Sequence, residues 1–276
     1  MNLFDFARSC GILLDSMPPI GYWRRYPTAD HPKKRNGAIK FMGDYALIQN
    51  WATDSEVSIW KDEHSTFDPA KARVAAADAA RKIREGQDAA SKKAGWILHQ
   101  TIQAKHPYLQ AKGFDEFCNV WSTEDGNILV IPMRIGNRLM GCQLIKEDGT
   151  KKFLYGQRTA NAEFVFDNKG EHILCEGYAT ALSIRAALMA MKRRYTLHVC
   201  FSAGNMEKIA ATLPGGFVVA DNDASQTGEN TAKRIGWAYY LPPNQGEDFN
   251  DFHKRVGLFK ASQALVTALN ASKRSG

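Results

Sequence analysis

Two stretches decide the fold of this chain: His172-Ile-Leu-Cys-Glu-Gly-Tyr-Ala-Thr-Ala181 and Phe217-Val-Val-Ala-Asp-Asn-Asp223. In each, a short apolar run typical of a strand ends at an acidic residue, Glu176 or Asp221, and polar or helix-forming sequence follows. This alternation predicts an α/β domain with a parallel sheet flanked by helices, whose ligands bind beyond the carboxyl ends of the strands. If the two strands are neighbours, Glu176, Asp221 and Asp223 meet at one edge of the sheet.

Clustered carboxylates at such an edge predict a cation. They repel one another and resist full ionisation unless a positive charge lies among them. Oxygen ligands suit a hard divalent ion, Mg²⁺ or Mn²⁺. We therefore predict metal-dependent phosphoryl transfer, with Glu176, Asp221 and Asp223 as catalytic and metal-binding residues.

Each acidic segment also has an interpretation without a metal. Glu176 could be a solvated residue at a helix N-terminus, and Asp221–Asp223 could be a turn that stabilises its own backbone. Glu247-Asp-Phe-Asn-Asp251 could cap a C-terminal helix or supply ligands to a second ion. In one α/β frame the first two segments together favour metal binding, and the third stays open.

Composition narrows the class of protein. The chain has 276 residues and a net charge of +7, which favours a polyanionic partner or simply keeps the protein soluble. Its five cysteines form no C-x-x-C pair, so we expect neither zinc nor a disulfide framework. We find no signal peptide, no membrane span and no nucleoside-triphosphatase loop, and we expect a cytoplasmic protein.

Changes in local composition and hydrophobic pattern divide the chain into four predicted parts. These are a β-rich region over 1–67, a helical linker over 68–105, a basic β subdomain over 106–167 and the α/β domain over 168–276. In the first part we predict a helix within residues 1–15 and a hairpin turn at Asn36-Gly37. Asp68-Pro69 predicts the start of a surface helix that runs towards Lys93. The α/β domain is predicted to have strands at 172–175, 197–201, 217–220 and 239–241 and helices at 178–191, from 205, at 228–238 and from 258.

Two groups of cations are candidate contacts to nucleic acid. Five cations precede or flank turns of the basic subdomain and could bind phosphate or belong to a solvated face: Arg134, Arg138, Lys151, Lys152 and Arg158. In the first part, aromatic residues alternate with cations in Tyr22-Trp-Arg-Arg-Tyr26, and Trp51 and Trp60 follow. These aromatics fit either a platform for single strands or the small core of a β subdomain.

The ordered set of motifs resembles the Toprim-domain DNA primases of phages and plasmids. Glu176-Gly-Tyr-Ala-Thr-Ala181 and the Asp221-x-Asp223 pair resemble the acidic motifs of that domain. Upstream, the segments His106–Gly113, Ile131–Gly141 and Asp148–Leu154 resemble the Y-L-x-x-[RK]-G, P-x-R…G-R…G and D-G-x-K-x-[FY]-L elements of the family. The likeness covers roughly residues 105–255.

The resemblance implies a DNA primase that makes short RNA primers from ribonucleoside triphosphates on single-stranded DNA, using Mg²⁺ or Mn²⁺. It assigns the acidic motifs to Glu176, Asp221 and Asp223, with a later pair at Asp248 and Asp251. Its basic ridge would fall on Arg134, Arg138 and Lys152, with Arg158 as a further candidate. It also implies the cytoplasm of a bacterial host, with a replicative helicase as a further candidate partner.

One feature departs from the family, because residues 16–65 contain no cysteine where such primases usually carry a zinc ribbon. Two other functions share the motifs. A Toprim nuclease would cut DNA with the same carboxylates, and a non-catalytic accessory protein would only bind single strands.

Overall fold

The computed structural model describes residues 1–51, 53, 56–62, 69–114, 120–123 and 127–272. They fall into two compact units, Met1–Gly86 and Gln87–Gly276. Asp68, the predicted helix cap, lies outside the described residues, and the four-part division of the chain stays a prediction. None of the described helices is both long enough and apolar enough to cross a membrane.

The first unit is a small antiparallel sheet with a short helix. Its elements are α1 (Leu3–Ser9), β1 (Trp23–Tyr26), β2 (Gly37–Phe41), β3 (Tyr45–Asn50) and β4 (Ser58–Lys61), and the strands lie in the order β1-β2-β3-β4. The helix predicted within residues 1–15 is shorter than that range, because the side chain of Asn2 caps it at Asp5 and it ends before Gly11, which has a φ of 72°.

The predicted hairpin turn at Asn36-Gly37 is wrong. Gly37 is the first residue of β2, and the turn to β3 lies at 42–44, where Gly43 has a φ of 105°. A Cβ on Gly37 would lie 2.7 Å from the Ile12 side chain. The glycine therefore serves close packing of Ile12 rather than a turn.

In the second unit an antiparallel sheet precedes the α/β domain. α2 (Pro69–His99) runs across the division between the units, and β5 (Thr101–Ala104), α3 (Pro107–Ala111), β6 (Val120–Thr123), β7 (Ile128–Ile135), β8 (Arg138–Lys146) and β9 (Lys151–Phe153) follow. The five strands lie in sequence order. α2 continues beyond Lys93 and is not only a surface helix, since Ala90 and Ala94 are buried with Val130 and Cys142. Their small side chains allow the helix to pack closely on the sheet.

The α/β domain has the predicted alternation. Its elements are β10 (Phe164–Asp167), β11 (Glu171–Cys175), α4 (Tyr178–Ala190), β12 (Tyr195–Val199), α5 (Ala203–Ala210), β13 (Phe217–Val219), α6 (Thr227–Ile235), β14 (Ala238–Tyr240) and α7 (Phe249–Ser272). The strand order is β10-β12-β11-β13-β14, with β10 antiparallel and the other four parallel. α4 and α7 pack on one face and α5 and α6 on the other.

The predicted fold class, α+β with an α/β domain, is confirmed. Two details differ from the prediction. β10 was not predicted, and α7 begins at Phe249 rather than near Leu258, with a break at Gly257 where φ is 80°. The segment Phe249–Val256 therefore forms a separate helical piece directly after the last acidic motif.

Candidate active site

Neighbouring strands bring the first two acidic residues together. β11 and β13 are parallel neighbours, with Ile173 opposite Phe217 and Leu174 opposite Val218. Glu176 and Asp221 follow these strands, so both lie at the carboxyl edge of the sheet. Gly177 is the N-cap of α4 and has no side-chain cap, so the first amides of that helix are available to an anion at the same edge.

The loop before α7 brings a third carboxylate to this edge. The Asn222 N–H donates to the carbonyl of Glu247 at 3.0 Å, which ties this loop to the segment after β13. Asp248 follows and caps α7, because its Oδ1 accepts from the Asp251 N–H at 2.8 Å. The capping interpretation of this segment is therefore correct, and the same residue also lines the cavity described next.

The three carboxylates line a cavity of about 110 Å³. Its lining also includes the charged or polar side chains of Lys112, Lys151, Tyr108 and Gln143. Gly177 and Thr180 at the N-terminus of α4 line it too. Acidic side chains thus face two lysines and a helix N-terminus across a small polar space.

Asp221 is the most electrostatically perturbed of these carboxylates. Burial, then repulsion from Asp248 and Glu176, raises its pKa to about 7, and Lys151 opposes the shift. Its Oδ1 is buried and has no hydrogen-bond partner among the described residues. Such an oxygen is costly unless a donor or a cation satisfies it.

Glu176 is perturbed in the same direction. Burial raises its pKa, and Asp223 adds to the shift while Lys151 opposes it. Two half-buried carboxylates that resist ionisation beside each other are typical of a site completed by a cation.

Asp223 has a second role in the local turn. Its Oδ1 accepts from the Ser225 hydroxyl at 2.6 Å and from the Thr227 N–H at 3.2 Å. Burial acts to raise its pKa, but these hydrogen bonds outweigh burial and lower it. The residue caps α6 and does not line the cavity, although its charge reaches Glu176 and Asp221.

The cavity contains a cation, Lys112, that was not among the predicted site residues. The Lys112 Nζ lies 3.5 Å from Asp251 Oδ1, and its carbonyl accepts from the Asn250 side chain at 2.9 Å. Asn250 is buried, so α7 fixes the end of α3 that carries Lys112. The signal for this residue was its place in the segment His106–Gly113.

Tyr108, from the same motif segment, is a further lining residue that was not among the predicted site residues. Burial, together with the charges of Asp248 and Asp251, raises its pKa to about 12. Its phenol therefore stays protonated and can donate a hydrogen bond into the cavity.

Of the five predicted cations, the structure brings Lys151 to the carboxylates. Lys152, the next residue of β9, is exposed and points to the other face of the strand. Arg138 pairs with Asp88 at 2.9 Å, and Arg158 donates to the Ala160 carbonyl at 3.3 Å. Arg134 lines a different cavity of about 500 Å³. A role for these four in binding nucleic acid stays a prediction.

The carboxylates fit a divalent ion by their chemistry. Among the described residues, no three acidic, histidine or cysteine side chains form a group already spaced to hold one. The orphaned oxygen of Asp221 and the raised pKa values of Asp221 and Glu176 are nevertheless consistent with an oxygen-ligand site in its metal-free state. An ion there would draw the carboxylates inward.

Comparisons with known proteins concern the part of the chain that contains this site. Residues 171–258 match the model of the Toprim domain, a range that includes the three carboxylates of the cavity. The chain is also 27% identical over 190 residues to the DNA primase TraC of Escherichia coli, an alignment that covers 62% of this chain and 12% of TraC. The chain thus spans about an eighth of that relative. Residues 171–258 are thus similar to a Toprim domain, and the predicted resemblance to Toprim-domain primases is confirmed, whereas these comparisons do not test the particular motif Glu176–Ala181.

Proposed function

We propose that this protein is a DNA primase, which joins ribonucleotides into short primers on single-stranded DNA. The observation that carries the proposal is the small cavity in which Glu176, Asp221 and Asp248 face Lys112 and Lys151. A primase needs carboxylates for divalent ions and cations for the phosphates of the nucleotide. The similarity to a DNA primase supports the choice of template and substrate.

Glu176, Asp221 and Asp248 would hold Mg²⁺ or Mn²⁺, with Asp223 and Asp251 close by. A bound ion supplies charge neutralisation at the triphosphate and favours ionisation of the attacking hydroxyl. Glu176 would act either as a ligand or as the base towards the attacking 3′-hydroxyl.

The cationic side of the cavity would orient the nucleotide. Lys112 and Lys151 would bind phosphate oxygens, and the free amides at the start of α4 would add to this attraction. Positioning of the two reacting groups supplies much of the rate in such a transfer. The basic ridge of Arg134, Arg138, Lys152 and Arg158 would contact the template. The cytoplasm of a bacterial host and a replicative helicase partner belong to the same proposal.

The test is incorporation of labelled ribonucleotides on single-stranded DNA of mixed sequence, with Mg²⁺ or Mn²⁺. We expect short, metal-dependent products from the wild type and none from Asp221→Asn or Glu176→Gln. Asp167→Asn is the matched control, because Asp167 is an exposed carboxylate of the same domain that does not line this cavity.

Each other outcome favours a different function. Cleaved DNA in place of extended products would identify a Toprim nuclease. Intact, bound DNA with no products under either ion would identify a non-catalytic accessory protein.

A further inference from the structure

The sheet of the first unit has two different faces. Side chains alternate between the faces along each strand, and Ile39, Ile48 and Trp60 lie on the face that forms the core with α1. The pairing of the strands places Trp23, Arg25, Lys40 and Lys61 on the other face, together with Gln49, Ile59, the half-buried Tyr45 and Leu47, and the buried Ala38. We call this second side the open face.

The sequence allowed two roles for the aromatic residues of the first unit, as core residues or as a platform for single strands. The structure divides them between buried and exposed positions. Tyr26 and Trp60 are core residues, with 4% and 7% of their surface exposed. Trp23 and Trp51 remain 43% and 40% exposed. Two exposed indoles beside cations at one side of a sheet offer rings on which the bases of a single strand can stack.

The strand positions of the open face, all of which the structure describes, carry only positive charge. Arg25, Lys40 and Lys61 are cationic, and no carboxylate occupies any strand position of this face. Opposite charges interspersed on a surface are the usual arrangement for solubility. One sign alone, beside exposed tryptophans, points to an anion that also presents flat rings.

Arg25 and Trp51 are already arranged for such a ligand. The Arg25 guanidinium stacks on the Trp51 ring, 3.5 Å from its centroid. A stacked guanidinium keeps the N–H donors at its edge directed outward, where they can bind phosphate. Arg24, its neighbour in sequence, lies in register with Ile39 of the core face and approaches Tyr26 instead.

We infer that the open face binds single-stranded nucleic acid, with bases stacked on Trp23 and Trp51 and phosphates on Arg25 and Lys40. Every base has a flat face and every nucleotide a phosphate, so this arrangement reads no sequence. The site lies in the first unit, outside the Toprim match, and is additional to the acidic cavity.

The experiment measures the affinity of the full chain for a labelled oligo-dT or oligo-U strand by fluorescence anisotropy in EDTA. We expect Arg25→Glu, Trp23→Ala and Trp51→Ala each to weaken binding at least about fivefold, because stacking and phosphate contacts are both lost. Arg24→Glu and Trp96→Ala are matched controls and keep wild-type affinity within about twofold. Trp96 is 65% exposed and belongs to α2.

Trp23→Phe distinguishes the loss of stacking from misfolding. It removes the indole but keeps an aromatic ring, so it should retain most of the affinity that Trp23→Ala loses. Equal losses in Arg24→Glu and Arg25→Glu would overturn the inference, because they would mean a diffuse charge effect. Equal affinity for a duplex, or displacement of the strand by polyglutamate at equal charge, would also overturn it. The latter result would identify an acidic protein as the partner.

The result does not depend on the proposed catalysis, because the assay contains neither a divalent ion nor a nucleotide. If the wild type incorporates no ribonucleotides but binds the single strand through the open face, only the primase proposal is refuted. If the wild type incorporates ribonucleotides but the open-face variants bind the single strand as tightly as the wild type does, only the inference about the open face is refuted.

Discussion

The surroundings of Asp221 disfavour the ionised form of its carboxyl group. In the unfolded chain an aspartate has a pKa near 3.9, whereas burial and the charges of Asp248 and Glu176 raise the pKa of Asp221 to about 7 in the folded protein. The folded state therefore binds a proton that the unfolded state releases. Between pH ~4 and ~7 the contribution of this residue to stability falls as the pH rises.

Asp221→Asn is expected to stabilise the metal-free protein. The substitution removes the ionisation, so the gain should be near zero below pH ~4, grow between pH ~4 and ~7, and reach on the order of 2–4 kcal/mol above pH 7. The measurement is urea unfolding in EDTA across this range. Asp148→Asn is the control of opposite sign, because the backbone N–H of Thr150 lowers the pKa of Asp148. A gain that does not depend on pH would contradict the account.

Lys151 and Lys152 provide a matched pair in adjacent positions. Lys151 lines the acidic cavity and opposes the raised pKa of Asp221, whereas Lys152 points to the other face of β9. We expect Lys151→Ala to lower primer synthesis about 10–100-fold, as for a lost charge-assisted contact of ~1.5–3 kcal/mol. Lys152→Ala removes only a proposed template contact outside the cavity, so it should lower synthesis less than about fivefold, as for an exposed charge contact of ~0.2–1 kcal/mol. Rates of ribonucleotide incorporation test this, and equal losses would refute the assignment.

Residue identities predicted one side of the cavity better than the other. Glu176 and Asp221 follow strands directly, so their positions could be inferred from local sequence. Lys112 could not be inferred in this way, because its place depends on a hydrogen bond between its carbonyl and Asn250, 138 residues away along the chain.

At the scale of elements, one glycine fixes the start of α6 against the acidic loop. A Cβ on Gly228 would lie 2.4 Å from the Asp221 carbonyl oxygen and 3.0 Å from its nitrogen. Both atoms belong to the backbone, so neither can rotate away. The helix and the residue that follows β13 can approach so closely only with glycine at this position.

Gly228→Ala is therefore expected to displace α6 from Asp221. We expect a loss of about 1–3 kcal/mol in the free energy of unfolding, as for an overpacked core, together with loss of synthesis. Gly204→Ala in α5 is the control, since a Cβ there meets nothing within 4 Å. That substitution should leave the free energy of unfolding unchanged or raise it by up to ~1 kcal/mol. Denaturant titration of both variants makes the comparison, and an unperturbed Gly228→Ala would contradict the packing argument.

Local patterns predicted most elements of the α/β domain, because each strand is apolar and each helix follows a polar or glycine turn. The pairing of strands is not local, and the predictions failed where it decides the structure. β10 is recognisable only by its pairing with β12. Asn36-Gly37 has the composition of a hairpin turn, but the packing of Ile12 against Gly37 assigns it to a strand.

At the scale of the whole molecule, the site combines segments that lie far apart in the chain. Its carboxylates come from the Toprim match, residues 171–258, whereas Lys112 and Lys151 come from the preceding part of the second unit. The segment that matches the Toprim domain thus contains the carboxylates of the cavity but not its two lysines. The first unit adds a separate cationic and aromatic face, which agrees with the net charge of +7.

The binding of a divalent ion should stabilise the wild type but not Asp221→Asn. An ion that binds only the folded state adds RT ln(1 + [L]/Kd), or about 1.4 kcal/mol at ten times Kd. For a unit of this size that corresponds to a rise of roughly 3–6 °C in Tm. Differential scanning calorimetry of the full chain in EDTA, Mg²⁺ and Mn²⁺ measures it.

Asp167→Asn, with its carboxylate outside the cavity, should respond to the ions as the wild type does. Asp221→Asn should start from a higher Tm in EDTA, because the repulsion is gone, and should gain little from either ion. The two effects have opposite signs and a common cause, since the carboxylate that destabilises the metal-free protein is the one that a cation satisfies. Equal rises in Tm for the wild type and Asp221→Asn would place the ion elsewhere and remove Asp221 from the metal site.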